Sequence, residues 1–188
     1  MSATFLKSYS DPSQIPAGGL PQVAFIGRSN AGKSSLINAL TGAKKLARVS
    51  NTPGRTRLVN VFKMDGFLLV DLPGYGYAKM SHADQDAMEQ MFVGYLQAAD
   101  DLRLAVVILD SRLGPTAMDR DMIGQFNAAD MPLILVANKA DKLNRSETVT
   151  SVRAIQEAYP EATVIAHSAK TGVGSKEILG AIRRSLGR

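Results

Sequence analysis

The chain has 188 residues, 45% of them hydrophobic, enough for one ordinary domain with a substantial core and too few for a second. It contains no cysteine, which excludes disulfides, thiolate zinc sites and cysteine nucleophiles. The formal net charge is +5, but Lys44, Lys45, Arg48, Arg55, Arg57 and Lys63 fall in a window without Asp or Glu that carries +6 and leaves the remainder at −1. A cationic segment this concentrated can serve a bound phosphate, face a polyanion such as RNA, or simply be a solvated loop. No apolar stretch approaches the roughly 18 residues of a membrane-spanning helix. The first residues, rich in Ser, Pro and Gly, do not read as a secretory signal. The expectation is a cytoplasmic monomer with no membrane partner.

Residues 1–20 read as an irregular extension, with Pro12, Pro16 and Pro21 breaking any periodicity, and 21–188 as a single domain. The first strand is the apolar run Val23-Ala24-Phe25-Ile26. It leads into Gly27-Arg28-Ser29-Asn30-Ala31-Gly32-Lys33-Ser34, which fits G-x-x-x-x-G-K-[ST] at every fixed position. Leu36, Ile37 and Leu40 then recur at helical spacing, and Gly42 is a plausible stop. A strand, a glycine-rich loop and a helix N-terminus are what a phosphate cradle requires: the glycines let backbone N–H groups close on phosphate oxygens, and the helix end adds partial positive charge. Lys33 can reach the outer phosphates and Ser34 can offer its hydroxyl to Mg²⁺.

Residues 43–57 show no apolar period and contain Asn51-Thr52-Pro53-Gly54-Arg55-Thr56, a loop signature. Thr56 is the candidate threonine for Mg²⁺ and the γ-phosphate, with Thr52 as competitor; Arg55 and Arg57 could stabilise charge internally or contact RNA. Two β-like runs, 58–64 and 67–70, meet at Asp65-Gly66, a strong hairpin signal. The second ends in Asp71-Leu72-Pro73-Gly74, followed by Tyr75-Gly76-Tyr77. Asp71 can hold a Mg²⁺-bound water and the Gly74 N–H can donate to the γ-phosphate.

Residues 82–99 read as a helix with Met88, Met91, Phe92, Tyr95 and Leu96 on its apolar face. Strands at 104–109, 133–137 and 163–166 then alternate with helices near 117–128, from Ser146 to about Tyr159, and from Ser175. Uninterrupted apolar strands separated by helices predict an α/β fold, a three-layer P-loop NTPase arrangement. The expected sheet has six strands, mostly parallel, with one antiparallel edge strand and helices on both faces. Asn138-Lys139-Ala140-Asp141 follows a strand end. A carboxylate such as Asp141 accepts two hydrogen bonds at once, matching the paired N–H donors of guanine, which adenine lacks. Asn138 would tie this segment to the phosphate loop, the Lys139 stem would cover the base, and Ser168-Ala169-Lys170 would complete the pocket. His82 reads as an exposed residue before a helix, and His167 as structural.

Taken together, Gly-Arg-Ser-Asn-Ala-Gly-Lys-Ser, Asn-Thr-Pro-Gly-Arg-Thr and Asp-Leu-Pro-Gly-Tyr-Gly-Tyr resemble the EngB group of small ribosome-biogenesis GTPases, of the TrmE-Era-EngA-EngB-Septin-like class. The resemblance runs from about Pro21 to the C-terminus. It implies a G domain that binds GTP and GDP, hydrolyses GTP, assists assembly of the large ribosomal subunit through its rRNA, and is needed for normal division and septation. Carried over by position, Ser34 and Thr56 bind Mg²⁺ directly and Asp71 through water. Gly27 to Ser34 and Gly54 to Leu58 surround the phosphates, Asp71 to Gly74 meet the γ-phosphate, and Asn138 to Asp141 with Ser168 to Lys170 bind the base. Lys33, Thr56, Gly74 and Asn30 are the candidate catalytic set. Related GTPases with asparagine at the Asn30 position hold K⁺ there; the residue equally suits a tight loop. Tyr75 stands where signalling GTPases place a water-orienting glutamine, so slow intrinsic hydrolysis is expected. The rival readings are a ribosome-binding module that uses GTP structurally with negligible turnover, and a P-loop small-molecule kinase.

Overall fold

The computed structural model describes residues 3–17, 19–42, 58–76 and 82–188. Its sheet is built from β1 (Thr4–Tyr9), β2 (Gln22–Gly27), β3 (Val59–Lys63), β4 (Leu68–Asp71), β5 (Leu102–Asp110), β6 (Leu133–Asn138) and β7 (Thr163–Ala166), in the spatial order β1-β3-β4-β2-β5-β6-β7. From β4 to β7 every pairing is parallel; β3 is antiparallel to β4, and β1 to β3. The helices are α1 (Lys33–Thr41), α2 (His82–Ala98), α3 (Ala117–Ala128), α4 (Arg145–Ala158) and α5 (Ser175–Ser185).

Strand alternation creates two cores. Val23 and Phe25 face one side of the sheet, with Leu36 and Ile37 of α1 and Ile178 and Ile182 of α5. Ala24 and Ile26 face the other, with Phe92 of α2, Ile123 and Phe126 of α3 and Ile155 of α4. Because both faces are covered, β5 and β6 can carry continuous apolar runs, 104–109 and 133–137, and from Leu104 to Asp110 and Leu133 to Asn138 every residue is buried. Phe92 and Phe126 meet edge to face with centroids 5.0 Å apart, joining α2 to α3. The Tyr95 hydroxyl donates to Gln22 Oε1 at 2.8 Å, pinning α2 to the start of β2.

The expected six-stranded sheet has seven strands. The segment read as irregular contains β1, which pairs with β3 and takes its place at the edge. The edge of β3 otherwise offers a row of unpaired N–H and C=O groups, and Thr-Phe-Leu-Lys-Ser-Tyr supplies β-favouring residues to meet it. Phe5 packs on Phe62 with centroids 5.6 Å apart, and the Ser8 hydroxyl donates to Asn60 Oδ1 at 2.7 Å. The prolines lie beyond the strand. A second correction concerns α4, which begins at Arg145: Asn144 caps it, its Oδ1 accepting from the Glu147 N–H at 2.9 Å while Glu147 Oε2 accepts from the Asn144 N–H at 2.7 Å.

Candidate functional site

The loop after β2 folds back on itself, the Ala31 N–H donating to the Arg28 carbonyl at 2.9 Å, and is tied to the segment after β4 by Ser29 N–H to Tyr75 carbonyl at 2.7 Å. Gly32 caps α1 with φ 95°, a left-handed conformation, and a Cβ there would run into the Asn138 side-chain nitrogen. Its glycine is therefore demanded by both backbone and neighbour. The first turn of α1 has no side-chain cap and no acidic residue, so its N–H groups and positive end remain available to an anion. Lys33, the first residue of α1, forms an ion pair with Asp71 at the end of β4. Asp71 also accepts from Asn60 Nδ2 at 3.4 Å.

Asn30 has φ 66°, one of three left-handed non-glycine residues among those described, and its carbonyl accepts from Lys139 Nζ at 2.5 Å. Asparagine tolerates this conformation better than most residues, so a backbone reason for its presence exists without any ion. Lys139, itself at φ 64°, also donates to Asp110 Oδ2 at 2.9 Å. Asp110 ends β5, and Arg112 clasps it with contacts of 2.9 and 2.7 Å. Burial alone would raise the Asp110 carboxyl; hydrogen bonds from Arg112 and Lys139 outweigh it and hold the group well below the ordinary carboxylate range.

On the base side, Asn138 Nδ2 donates to the Ala31 carbonyl at 2.8 Å, joining β6 to the phosphate loop. Asp141 accepts from the Ser168 hydroxyl at 2.7 Å, and that bond draws its pKa down, so the exposed carboxylate is ionised and oriented. The Ala140 N–H donates to the His167 carbonyl at 3.0 Å, fastening the loop after β6 to the loop after β7. The outcome is one groove of about 640 Å³ whose lining includes Gly32, Asn138, Lys139, Asp141, Ala169 and Lys170. That volume lies within the range of small-molecule and cofactor sites.

The structure thus brings Asn30 to Ser34, Asp71, Asn138 to Asp141 and Ser168 to Lys170 to the same end of the sheet. Gly74 packs against the Gly27 carbonyl, which an added Cβ would approach to 3.1 Å. Leu72 has its side chain buried in the core, where with Pro73 it lines a separate cavity of about 250 Å³ between α2 and α3, and its N–H donates to the Phe25 carbonyl at 3.0 Å. Arg28 bridges to Tyr75, and its side chain lies against Gly76. Gly54, Arg55, Thr56, Arg57, the competitor Thr52 and most of the basic window lie outside the described residues, as does the His82 side chain. Leu58 lies just before β3, and Lys63 is exposed at its end.

Sequence reasoning missed two relationships. Tyr75 is 5% exposed and donates its phenol to Asp119 Oδ1 at 2.6 Å. Asp119 is meanwhile the third residue of the α3 capping box, its Oδ2 accepting from the Thr116 N–H at 2.8 Å. The residue in the glutamine position is therefore anchored to α3. Asp110, the residue directly after the apolar run 104–109, holds Lys139; its place at the end of that run was the available signal. Among the described residues, no helix is long and apolar enough to cross a membrane, and no three His, Asp or Glu side chains gather as a metal cage.

Comparison with known proteins agrees with this fold. Residues 22–139 match the family model described as 50S ribosome-binding GTPase. A relative from Syntrophus aciditrophicus, "Probable GTP-binding protein EngB", is 46% identical over 190 residues, covering 100% of this chain and 96% of its own. A crystal structure of a probable GTP-binding protein EngB superposes with TM-score 0.73 at 23% identity, over 87% of this chain and 97% of that one, a likeness of fold. Era in complex with MgGDPNP and nucleotides 1506–1542 of 16S ribosomal RNA superposes with TM-score 0.70 at 26% identity, over 88% of this chain and 56% of that one.

Proposed function

From the premise that this chain belongs to the 50S ribosome-binding GTPase family, and within it to the EngB group, we propose that it is a nucleotide-dependent switch that binds GTP and GDP in the groove below α1, hydrolyses GTP slowly, and acts in the cytoplasm on assembly of the large ribosomal subunit, with normal division and septation dependent on that step. The carrying observation is the convergence of the phosphate loop and a Ser168-oriented Asp141 on one groove.

Asp141 selects guanine by accepting from its paired N–H donors; adenine would leave the carboxylate without them. Asn138 holds the base-side segment to the phosphate loop through Ala31, and Lys139 braces the loop from the other side through the Asn30 carbonyl. Lys33 and the N–H groups of the α1 first turn receive the phosphates, and the Gly74 N–H the terminal one. The donors available for a metal are hard oxygens, the Ser34 hydroxyl, the Asp71 carboxylate and, outside the described residues, Thr56, which is the donor type Mg²⁺ takes together with nucleotide phosphates. Bound there, Mg²⁺ would neutralise charge on the terminal phosphates. K⁺ at Asn30 would add positive charge beside it; faster turnover in potassium than in sodium buffer supports that role, and equal rates remove it.

Tyr75 supports the slow intrinsic rate. Its phenol is committed to Asp119, so the position that orients water in signalling GTPases brings no side chain to the phosphate. The same observation favours a second reading, in which GTP serves structurally with negligible turnover. Phosphate release from GTP, measured with and without large ribosomal subunits, separates the two: stimulated release supports the switch, and none in either condition supports the structural ligand.

The purine reading is tested by Asp141→Asn, which should exchange a preference for GTP over XTP for the reverse. Unchanged preference would overturn it. The ribosomal reading is tested by cosedimentation with large subunits, which should be tighter with a GTP analogue than with GDP and fall steeply with salt if the basic window meets rRNA. Identical binding in both nucleotide states counts against the switch.

A further inference from the structure

The ring of His167 is fully buried at the end of β7, against the carboxamide that joins the phosphate loop to the base-side segment. Asn138 Nδ2 points at the Ala31 carbonyl, 2.8 Å away, because a reversed amide would set two acceptors face to face. Its Oδ1 therefore faces the other way, 2.8 Å from His167 Nδ1. An amide oxygen only accepts, so the hydrogen of the neutral imidazole must sit on Nδ1. The bare Nε2, 3.2 Å from Ser175 Oγ, then accepts from that hydroxyl at the first residue of α5. Main-chain bonds hold the residue in place, its N–H donating to the Ala137 carbonyl at 2.9 Å and its carbonyl accepting from the Ala140 N–H at 3.0 Å.

We propose that His167 is a positioning residue for guanine-nucleotide binding: its Nδ1–H fixes the rotation of the Asn138 carboxamide and so locks the phosphate loop and the base-side segment in register. The proposal rests on the guanine reading of the groove. Without that donor, Oδ1 of Asn138 is a buried acceptor with nothing to accept from, and the amide is free to turn away from Ala31. Burial disfavours the charged ring and keeps it in the single-proton form this relay uses.

Two substitutions give opposite answers under the two roles this residue can have. His167→Leu fills the space without a donor, whereas His167→Asn is smaller but presents an N–H near the Nδ1 position. Titration with a fluorescent GDP analogue should show affinity reduced by about tenfold or more for His167→Leu and restored to within about threefold of wild type for His167→Asn. The reverse order, leucine tolerated and asparagine not, would mean that the ring only fills volume and would overturn the proposal. His167→Leu should still prefer GDP to XDP, because Asp141 remains in place. A wild-type protein that binds both equally would instead overturn the guanine reading. Should His167→Leu fail to fold, long-range ¹H–¹⁵N spectra of the wild-type imidazole decide: a proton on Nδ1 with a pyridine-like Nε2 supports the relay, and the opposite tautomer overturns it.

Discussion

The phenol of Tyr75 and the carboxylate of Asp119 are 2.6 Å apart, and the bond fastens the segment after β4 to the first turn of α3. Both residues are buried. Tyr75→Phe removes the donor and leaves Asp119 Oδ1 short of a partner, so the protein should lose about 1–3 kcal/mol of stability in denaturant titration. Nucleotide preference should not change.

Gly32→Ala should retain the fold and lose nucleotide. A left-handed residue with a side chain costs about 1–2 kcal/mol, and the new methyl presses on the Asn138 amide. Titration with labelled GDP should show affinity reduced by at least about tenfold, with little change in the circular dichroism spectrum.

Asp110→Asn breaks the contacts that hold Lys139 and Arg112. Lys139 keeps the Asn30 carbonyl but loses its anionic anchor, so labelled GDP should dissociate several-fold faster in a chase experiment. Arg112, largely exposed, should contribute little: Arg112→Ala is expected to leave the dissociation rate near that of wild type.

Burial pushes the His167 imidazole down to about 4 from an ordinary 6.5, against the opposing influence of Asp141. The unfolded chain binds this proton near 6.5 and the folded chain only near 4, so stability complete above pH 6.5 is lost as pH falls through that window. The loss should be on the order of 3 kcal/mol by pH 4. Denaturation midpoints measured from neutral pH downward should fall more steeply for wild type than for His167→Asn.

Much of the fold was legible because its signals are local. The phosphate loop, the Asp65-Gly66 turn and the Asn138 to Asp141 segment each occupy a few consecutive residues whose types are dictated by backbone conformation or ligand chemistry. The apolar strands β5 and β6 announce two covered faces for the same reason. What was hidden depends on distant partners. β1 is recognisable only from β3, whose Asn60 lies 52 positions after Ser8, and nothing near Thr4 says that an edge is waiting. His167 shows its use only when Asn138, 29 positions earlier, is set beside it. Tyr75 could be read as an absent glutamine, but its direction is set by Asp119, 44 positions away. The start of α4 was misplaced for a smaller reason: Asn144 and Ser146 both stand near Glu147, and only Asn144 has the three-residue spacing of a capping box.

The ion pair of Lys33 with Asp71 gives the phosphate loop an internal counter-anion. An arriving anion must displace a carboxylate that is already satisfied. Orthophosphate or a metal-free metabolite would give the ammonium a new companion and leave the acid with Asn60 alone. On the proposed nucleotide reading, a polyphosphate delivered with its own divalent ion would re-partner both groups in a single exchange, and the common monoanions of a cell would compete poorly for the loop.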